Sequence, residues 1–176
     1  VSKTKSTSTD LEKTISSIKE ENEKLFEQMN KQVTANTKIA VELLKQLINE
    51  SPEIEACRWV QYTPYFNDGE ECKFGVHELE LKFNPEMFPH NEETEEDDCL
   101  DADGFVYEWR LGEFLERGLD VLNVAQVVAV EKKVELFIKI HSELQNMDQC
   151  LKNTFGDHVK VVVTRTGIET EEFAHD

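Results

Sequence analysis

Between Asp10 and Ser51 the chain contains neither glycine nor proline, and its apolar side chains recur at alternating steps of four and three. Leu11, Ile15, Ile18, Leu25, Met29, Ile39 and Leu43 lie on this stripe, with Asn22, Gln32 and Asn36 at the intervening positions. The pattern is a heptad seam, with Ile15, Asn22, Met29, Asn36 and Leu43 at a and Leu11, Ile18, Leu25, Gln32 and Ile39 at d. It restricts this part of the chain to one long helix whose stripe needs a cover. Thr9 or Asp10 suits its start, and Ser51-Pro52 its stop. Asparagine at a weakens a coiled coil while favouring two strands in register, so Asn22 and Asn36 point to a parallel homodimer. The competing reading packs the helix within its own chain, and Phe26, Val33 and Ala40 at e broaden the stripe in that sense.

The charge is distributed unevenly. Residues 1–50 hold eight lysines and eight acids, whereas residues 51–104 hold sixteen acids against three bases, Arg58, Lys73 and Lys82. With thirteen acids against eight bases in the remainder, the net charge is −18. Such a field repels nucleic acid and anionic lipid and attracts basic protein surfaces over ~8–10 Å. No apolar run approaches the ~18 residues of a membrane span. The first residues, VSKTKSTSTD, lack the apolar core of a secretory signal. Cys57, Cys72, Cys99 and Cys150 are widely spaced, which suits reduced thiols in a cytoplasm better than a disulfide scaffold.

Residues 61–74 read QYTPYFNDGEECKF, an aromatic run around a turn. A five-residue loop from Asn67 to Glu71 would set Phe66 opposite Cys72. Val60, Tyr62, Pro64 and Phe66 would then share a face with Cys72, Phe74 and Val76, and Asn-Asp-Gly would supply positive φ. A two-residue Asp68-Gly69 turn is the alternative register. Pro64 marks an edge or a bulge, and the parity change between Val76 and Leu79 asks for a bulge near Gly75-Val76-His77. On this pattern Trp59 and Tyr65 are left on the opposite face, as candidates for contact with a partner. The segment Tyr62-x-Pro64-Tyr65-Phe66-Asn67-Asp68-Gly69, followed by Cys72-x-Phe74-x-Val76, resembles one recurring in small uncharacterised proteins of tailed bacteriophages. The resemblance implies a phage origin and an address in the host cytoplasm, and it carries no catalytic residue.

The run from Pro89 to Gly104, PHNEETEEDDCLDADG, reads as an exposed acidic loop over 90–104. Asp101-x-Asp103-Gly104 invites a calcium reading, but an EF-hand frame puts Cys99 at position one and Arg110 at position twelve, where carboxylates belong. The spacing of Cys57, Cys72 and His77 does not suit zinc, and neighbouring aspartates disfavour a Cys99 thiolate. No nucleophile, phosphate-loop or metalloprotease motif is present, so neither an enzyme nor a cofactor is expected.

Downstream, Gly104–Arg110 alternates as a strand with Phe105, Tyr107 and Trp109 on one side. Leu111–Arg117 suits a short helix ended by Gly118. A long helix is expected from Asp120 or Asn123 to about Asn153, then a strand over His158–Thr164 and a frayed acidic tail. The fold class is α+β: a small antiparallel sheet packed by helices, with a long N-terminal coiled-coil helix. The expected divisions are a disordered 1–9, the helix 10–51, an α+β domain 52–166 and a tail 167–176.

The favoured function is an acidic, dimeric binding protein that mimics nucleic-acid charge and inhibits a host nucleic-acid-binding or defence protein. Its contacts would be Glu92, Glu93, Glu95, Glu96, Asp97, Asp98, Asp101 and Asp103, with Trp59 and Tyr65. One alternative sequesters a nucleotide-like signal through Arg58, Arg110, Arg117 and Arg165, with Trp59 or Trp109 stacking a base. Another is a coiled-coil structural or assembly protein.

Overall fold

The computed structural model describes residues 5–66, 68–87, 100–117 and 122–174, and side chains from residue 11 onward. The chain divides into two units, residues 1–36 and residues 37–176. Helix α1 spans Lys5–Asn49, so the helix starts ahead of the expected Thr9 or Asp10 cap. Its end falls where Ser51-Pro52 requires, with Ser51 N–H donating to the Ile48 carbonyl at 3.2 Å.

The described residues of the first unit, 5–36, are all helical. Its seam residues Leu11, Ile15, Ile18, Leu25 and Met29 are exposed, as is Phe26. Within the helix Gln32 donates to Asn36 Oδ1 at 3.0 Å.

In the second unit, strands β1 (Ile54–Tyr62), β2 (Gly75–Phe83), β3 (Phe105–Tyr107), β4 (Val159–Thr164) and β5 (Ile168–Glu172) form one antiparallel sheet in the order β3-β2-β1-β4-β5. Between β3 and β4 come a 3-10 turn (Glu108–Arg110) and helices α2 (Leu111–Arg117), α3 (Val124–Gln145) and α4 (Asp148–Phe155). The α+β class is therefore as the sequence implies. Val127, Val130, Val134, Phe137, His141 and Leu144 of α3 are buried at steps of three and four. They share a core with Cys57, Trp59, Leu79, Leu81, Val161 and Val163 of the sheet and with Ala40, Val41, Leu44 and Ile48 of α1. Asn123 caps α3 with a reciprocal box, accepting from Gln126 N–H while Gln126 Oε1 accepts from its own N–H. The single long helix expected here is broken at Asn146–Met147, and Val124 and Val128 face solvent.

Three further expectations change. Pairing of β1 with β2 ends at Tyr62–Gly75, so the five-residue loop is not formed. The reason lies at Thr63, whose N–H and Oγ1 both donate to the Asp157 carboxylate at 2.8 and 2.7 Å, ahead of a proline that has no N–H to offer. The register is mixed: Trp59 meets Leu79 as the longer loop requires, while Gln61 meets Val76 as the shorter turn requires. One extra residue in β2 between Val76 and Leu79 reconciles them, near where parity asks for a bulge. Asp68 and Gly69 do adopt positive φ, 33° and 91°.

The second change is Trp59, which is buried rather than available to a partner. The two faces of β1 separate as expected, but Cys57, Trp59 and Gln61 form the covered one. Gln61 makes that burial tolerable: its Oε1 accepts from Trp59 Nε1 at 3.1 Å, and its Nε2 donates to the carbonyls of Leu151 (3.2 Å) and Gly156 (2.6 Å). The third is the tail, where β5 pairs with β4 from Val159 to Val163 instead of fraying.

His141 is buried against Trp59, with Nε2 lacking a hydrogen-bond partner. Burial pushes its pKa down to about 4, opposed only in part by a hydrogen bond to the His77 backbone. Between pH 6.5 and 4 the unfolded chain therefore binds a proton that the folded chain refuses. Stability is expected to fall as pH drops through that window, by roughly 3 kcal/mol in all. Urea unfolding midpoints measured from pH 7.5 to 4.5 test this, and His141→Leu should flatten the dependence.

Candidate functional site

The acidic segment enters the sheet through β3, and a buried guanidinium determines how. Arg58 lies mid-strand on the face of β1 opposite Trp59 and is only 3% exposed. Its Nε donates to Glu80 Oε2 on β2 at 2.6 Å, its Nη2 to Asp101 Oδ2, and its Nη1 to Asp103 Oδ2 at 3.0 Å. The Phe105 ring covers the group, with its centroid 4.0 Å from Cζ. Lys160 on β4 approaches Asp103 Oδ2 at 3.5 Å, and Lys82 donates to the Asp103 carbonyl at 3.0 Å.

Asp101 also folds its own loop. Its Oδ1 accepts from the N–H groups of Asp103 and Phe105, both at 2.9 Å, and Gly104 N–H donates to its carbonyl at 3.0 Å. Gly104 takes φ 80° to close the turn, a conformation that favours glycine. Burial opposes ionisation of Asp101, but the Phe105 N–H and the Arg58 guanidinium outweigh it and hold the carboxyl below the usual range. Burial likewise opposes the charge on Arg58, and the Asp101 hydrogen bond and the Glu80 charge reverse that, so Arg58 stays cationic. At Glu80 burial wins, and its pKa is raised despite Arg58.

Two of the expected contact residues also serve the fold: Asp101 and Asp103 hold an internal arginine, and the Asp103 side chain stays 58% exposed. The Asp-x-Asp-Gly sequence that invites a calcium reading is likewise an aspartate turn closed on a guanidinium. Glu92, Glu93, Glu95, Glu96, Asp97 and Asp98 lie outside the described residues, as does Cys99. Among the described residues no group of three His, Cys, Asp or Glu side chains is placed to hold a metal.

The arginines proposed to converge on a phosphate do not converge. Arg110 and Arg117 both pair with Glu113, at 3.3 and 2.7 Å, and Arg165 donates to the carbonyls of Ser51, Pro52 and Ile54 at 3.0–3.3 Å. Arg110 and Arg117 thus share one carboxylate, while Arg58 and Arg165 serve other parts of the fold.

Two aromatic surfaces remain. Tyr65 is 69% exposed, as the sequence suggests, and stacks on His158 with centroids 4.8 Å apart. Nearby, Tyr62 stacks on His77 at 4.1 Å, and Asp157 ties Thr63 to Lys152. Burial works against Asp157 ionisation, but hydrogen bonds from Lys152 and Thr63 hold its carboxyl down to about 2. The second surface is built on Trp109, which the sequence offers only as a residue to stack a base and not as a partner contact. Trp109, expected to alternate into a strand face with Phe105 and Tyr107, is 64% exposed because the strand ends at Tyr107 and passes into the 3-10 turn. The Arg110 guanidinium lies 4.4 Å from its ring centroid, and Tyr107 stacks beside it at 6.2 Å. An exposed tryptophan steadied by an arginine and a tyrosine has the composition of an interface anchor. The signal available in sequence was Glu108-Trp109-Arg110 leading directly into a helix.

Comparison with protein-family models, curated proteins and solved structures finds no match to this chain. No described helix is long and apolar enough to cross a membrane. What the geometry defines is an α+β domain with a charge-clamped entry to its acidic segment.

Truncating Arg58 should leave Glu80 and Asp101 without their cation. Arg58→Met is expected to destabilise the fold by about 3–5 kcal/mol. Chemical denaturation measures it, and Arg58→Met combined with Glu80→Leu and Asp101→Asn should recover part of the loss.

Proposed function

We propose that this protein is a non-catalytic, anionic binding protein that imitates nucleic-acid charge and occupies a basic surface on a nucleic-acid-binding or defence protein. The observation that carries the reading is where the bases of residues 51–104 go. Of the three, Arg58 and Lys82 are both engaged at the Asp101–Asp103 turn, where Arg58 takes up Glu80, Asp101 and Asp103, leaving Lys73 against the other thirteen acids of the stretch. That imbalance favours fast, salt-sensitive association with a cationic surface, and disfavours direct binding to nucleic acid or membrane. The contact residues are Glu92, Glu93, Glu95, Glu96, Asp97 and Asp98, with Tyr65 and Trp109 as apolar anchors. The phage resemblance of the aromatic turn supports a host protein as target and the host cytoplasm as the place of action.

The test is capture from bacterial lysate on the immobilised protein across rising salt, followed by competition with duplex DNA for whatever is retained. A nucleic-acid-binding protein released by moderate salt and displaced by DNA is the expected result. Replacing the six contact acids by Gln and Asn should weaken binding at least tenfold, whereas Asp101→Asn should act mainly through stability. Retention of the partner by the six-fold variant would sink the reading. A second reading, a coiled-coil assembly protein, is favoured by the exposed seam of α1, and capture of nothing at any salt would move the case to it.

A further inference from the structure

The seam of α1 and the face that α1 gives to its own core are different faces. Over residues 37–49 the buried positions are Thr37, Ala40, Val41, Leu44 and Ile48, which occupy b, e and f of the heptad. Ile39 and Leu43, the d and a residues of the same turns, are exposed. At 100° per residue the two faces lie about a third of a turn apart. Intrachain packing therefore accounts for the e residue Ala40, which broadens the sequence stripe, and does not account for the stripe itself. Within the first unit the five apolar seam residues from Leu11 to Met29 are between 52% and 64% exposed. At 1.5 Å per residue that run is about 27 Å long, which is far more than the scattered apolar exposure ordinary on a surface.

We propose that a second copy of this chain docks along this stripe, parallel and in register. A second copy fits because the stripe is self-complementary in the one arrangement that its polar positions permit. In a parallel pair each a residue meets its own counterpart, so Asn22 faces Asn22 and Asn36 faces Asn36, amide to amide. Antiparallel pairing sets a against d and would bury each asparagine against the d residues of the other chain, chiefly Leu and Ile. The intrahelical bond from Gln32 to Asn36 Oδ1 fixes the Asn36 amide in the orientation that turns its oxygen back along its own helix. The charges of residues 1–50 balance, so the two helices do not repel as the rest of the chain would. The inference rests on α1 alone and is independent of what the acidic segment binds.

Sedimentation equilibrium on the full chain over micromolar concentrations tests it. The expected mass is twice 20.4 kDa. Ile18→Glu with Leu25→Glu should shift dissociation at least a hundredfold toward monomer while leaving the unfolding of the domain unchanged, since neither residue touches its core. Asn22→Leu with Asn36→Leu should tighten association and admit higher oligomers. Donor and acceptor dyes on the N-terminal amines of mixed copies should show efficient energy transfer. A monomer at every concentration overturns the proposal, as does a dimer unaffected by Ile18→Glu with Leu25→Glu. A dimer without energy transfer overturns the parallel arrangement.

Discussion

A guanidinium removed from water must find its anions within the fold, and the sheet is organised around that requirement at Arg58. The side chain leaves β1 on the face away from the helices. There it collects one carboxylate from β2 and two from the turn that precedes β3. The sheet therefore carries two unlike layers on one set of strands. On the covered face Trp59 and its neighbours are held by apolar packing, with Gln61 absorbing the one indole N–H. On the other, adjacent strands are tied together by charge. Desolvation of an ion is costly enough that such a pairing specifies geometry more than it adds stability. Here it specifies where an otherwise highly charged segment rejoins the fold.

Most elements follow from local pattern. The uninterrupted heptad run predicts α1, the Asn123–Gln126 box starts α3, and the valine-rich 159–164 forms β4. What the pattern leaves open is which face of β1 is covered. Alternation separates Trp59 and Gln61 from Val60 and Tyr62 but assigns no core to either set, and counting aromatics favours the wrong one. The decision depends on the carbonyls of Leu151 and Gly156, nearly a hundred residues away, which give Gln61 its partners. The same holds for Asp101 and Asp103. In sequence they belong to an acidic run, and only the pairing of β1 with β2 and of β2 with β3 brings them to an arginine. The turn at residues 63–74 opens for a comparable reason, because Asp157 takes the hydrogen bonds that would have continued the ladder.

The helix α1 has two obligations that the sequence superimposes and the fold separates. Over residues 37–49 its b, e and f positions reach the core while Ile39 and Leu43, at d and a, do not, and Phe26, an e residue of the first unit, is exposed. A long helix can in this way close a small sheet domain and leave the a and d residues of the same turns exposed.

The outermost strand has a consequence of its own. All five residues of β5 are exposed, and three of them, Glu169, Glu171 and Glu172, are acidic. An open sheet edge is a template on which a like edge can add, the step from which fibrous assembly grows. Two β5 edges meeting antiparallel would bring glutamate against glutamate at neighbouring rungs, and like charges in that position repel. Among the described residues, the charge on this edge thus opposes pairing with its own kind.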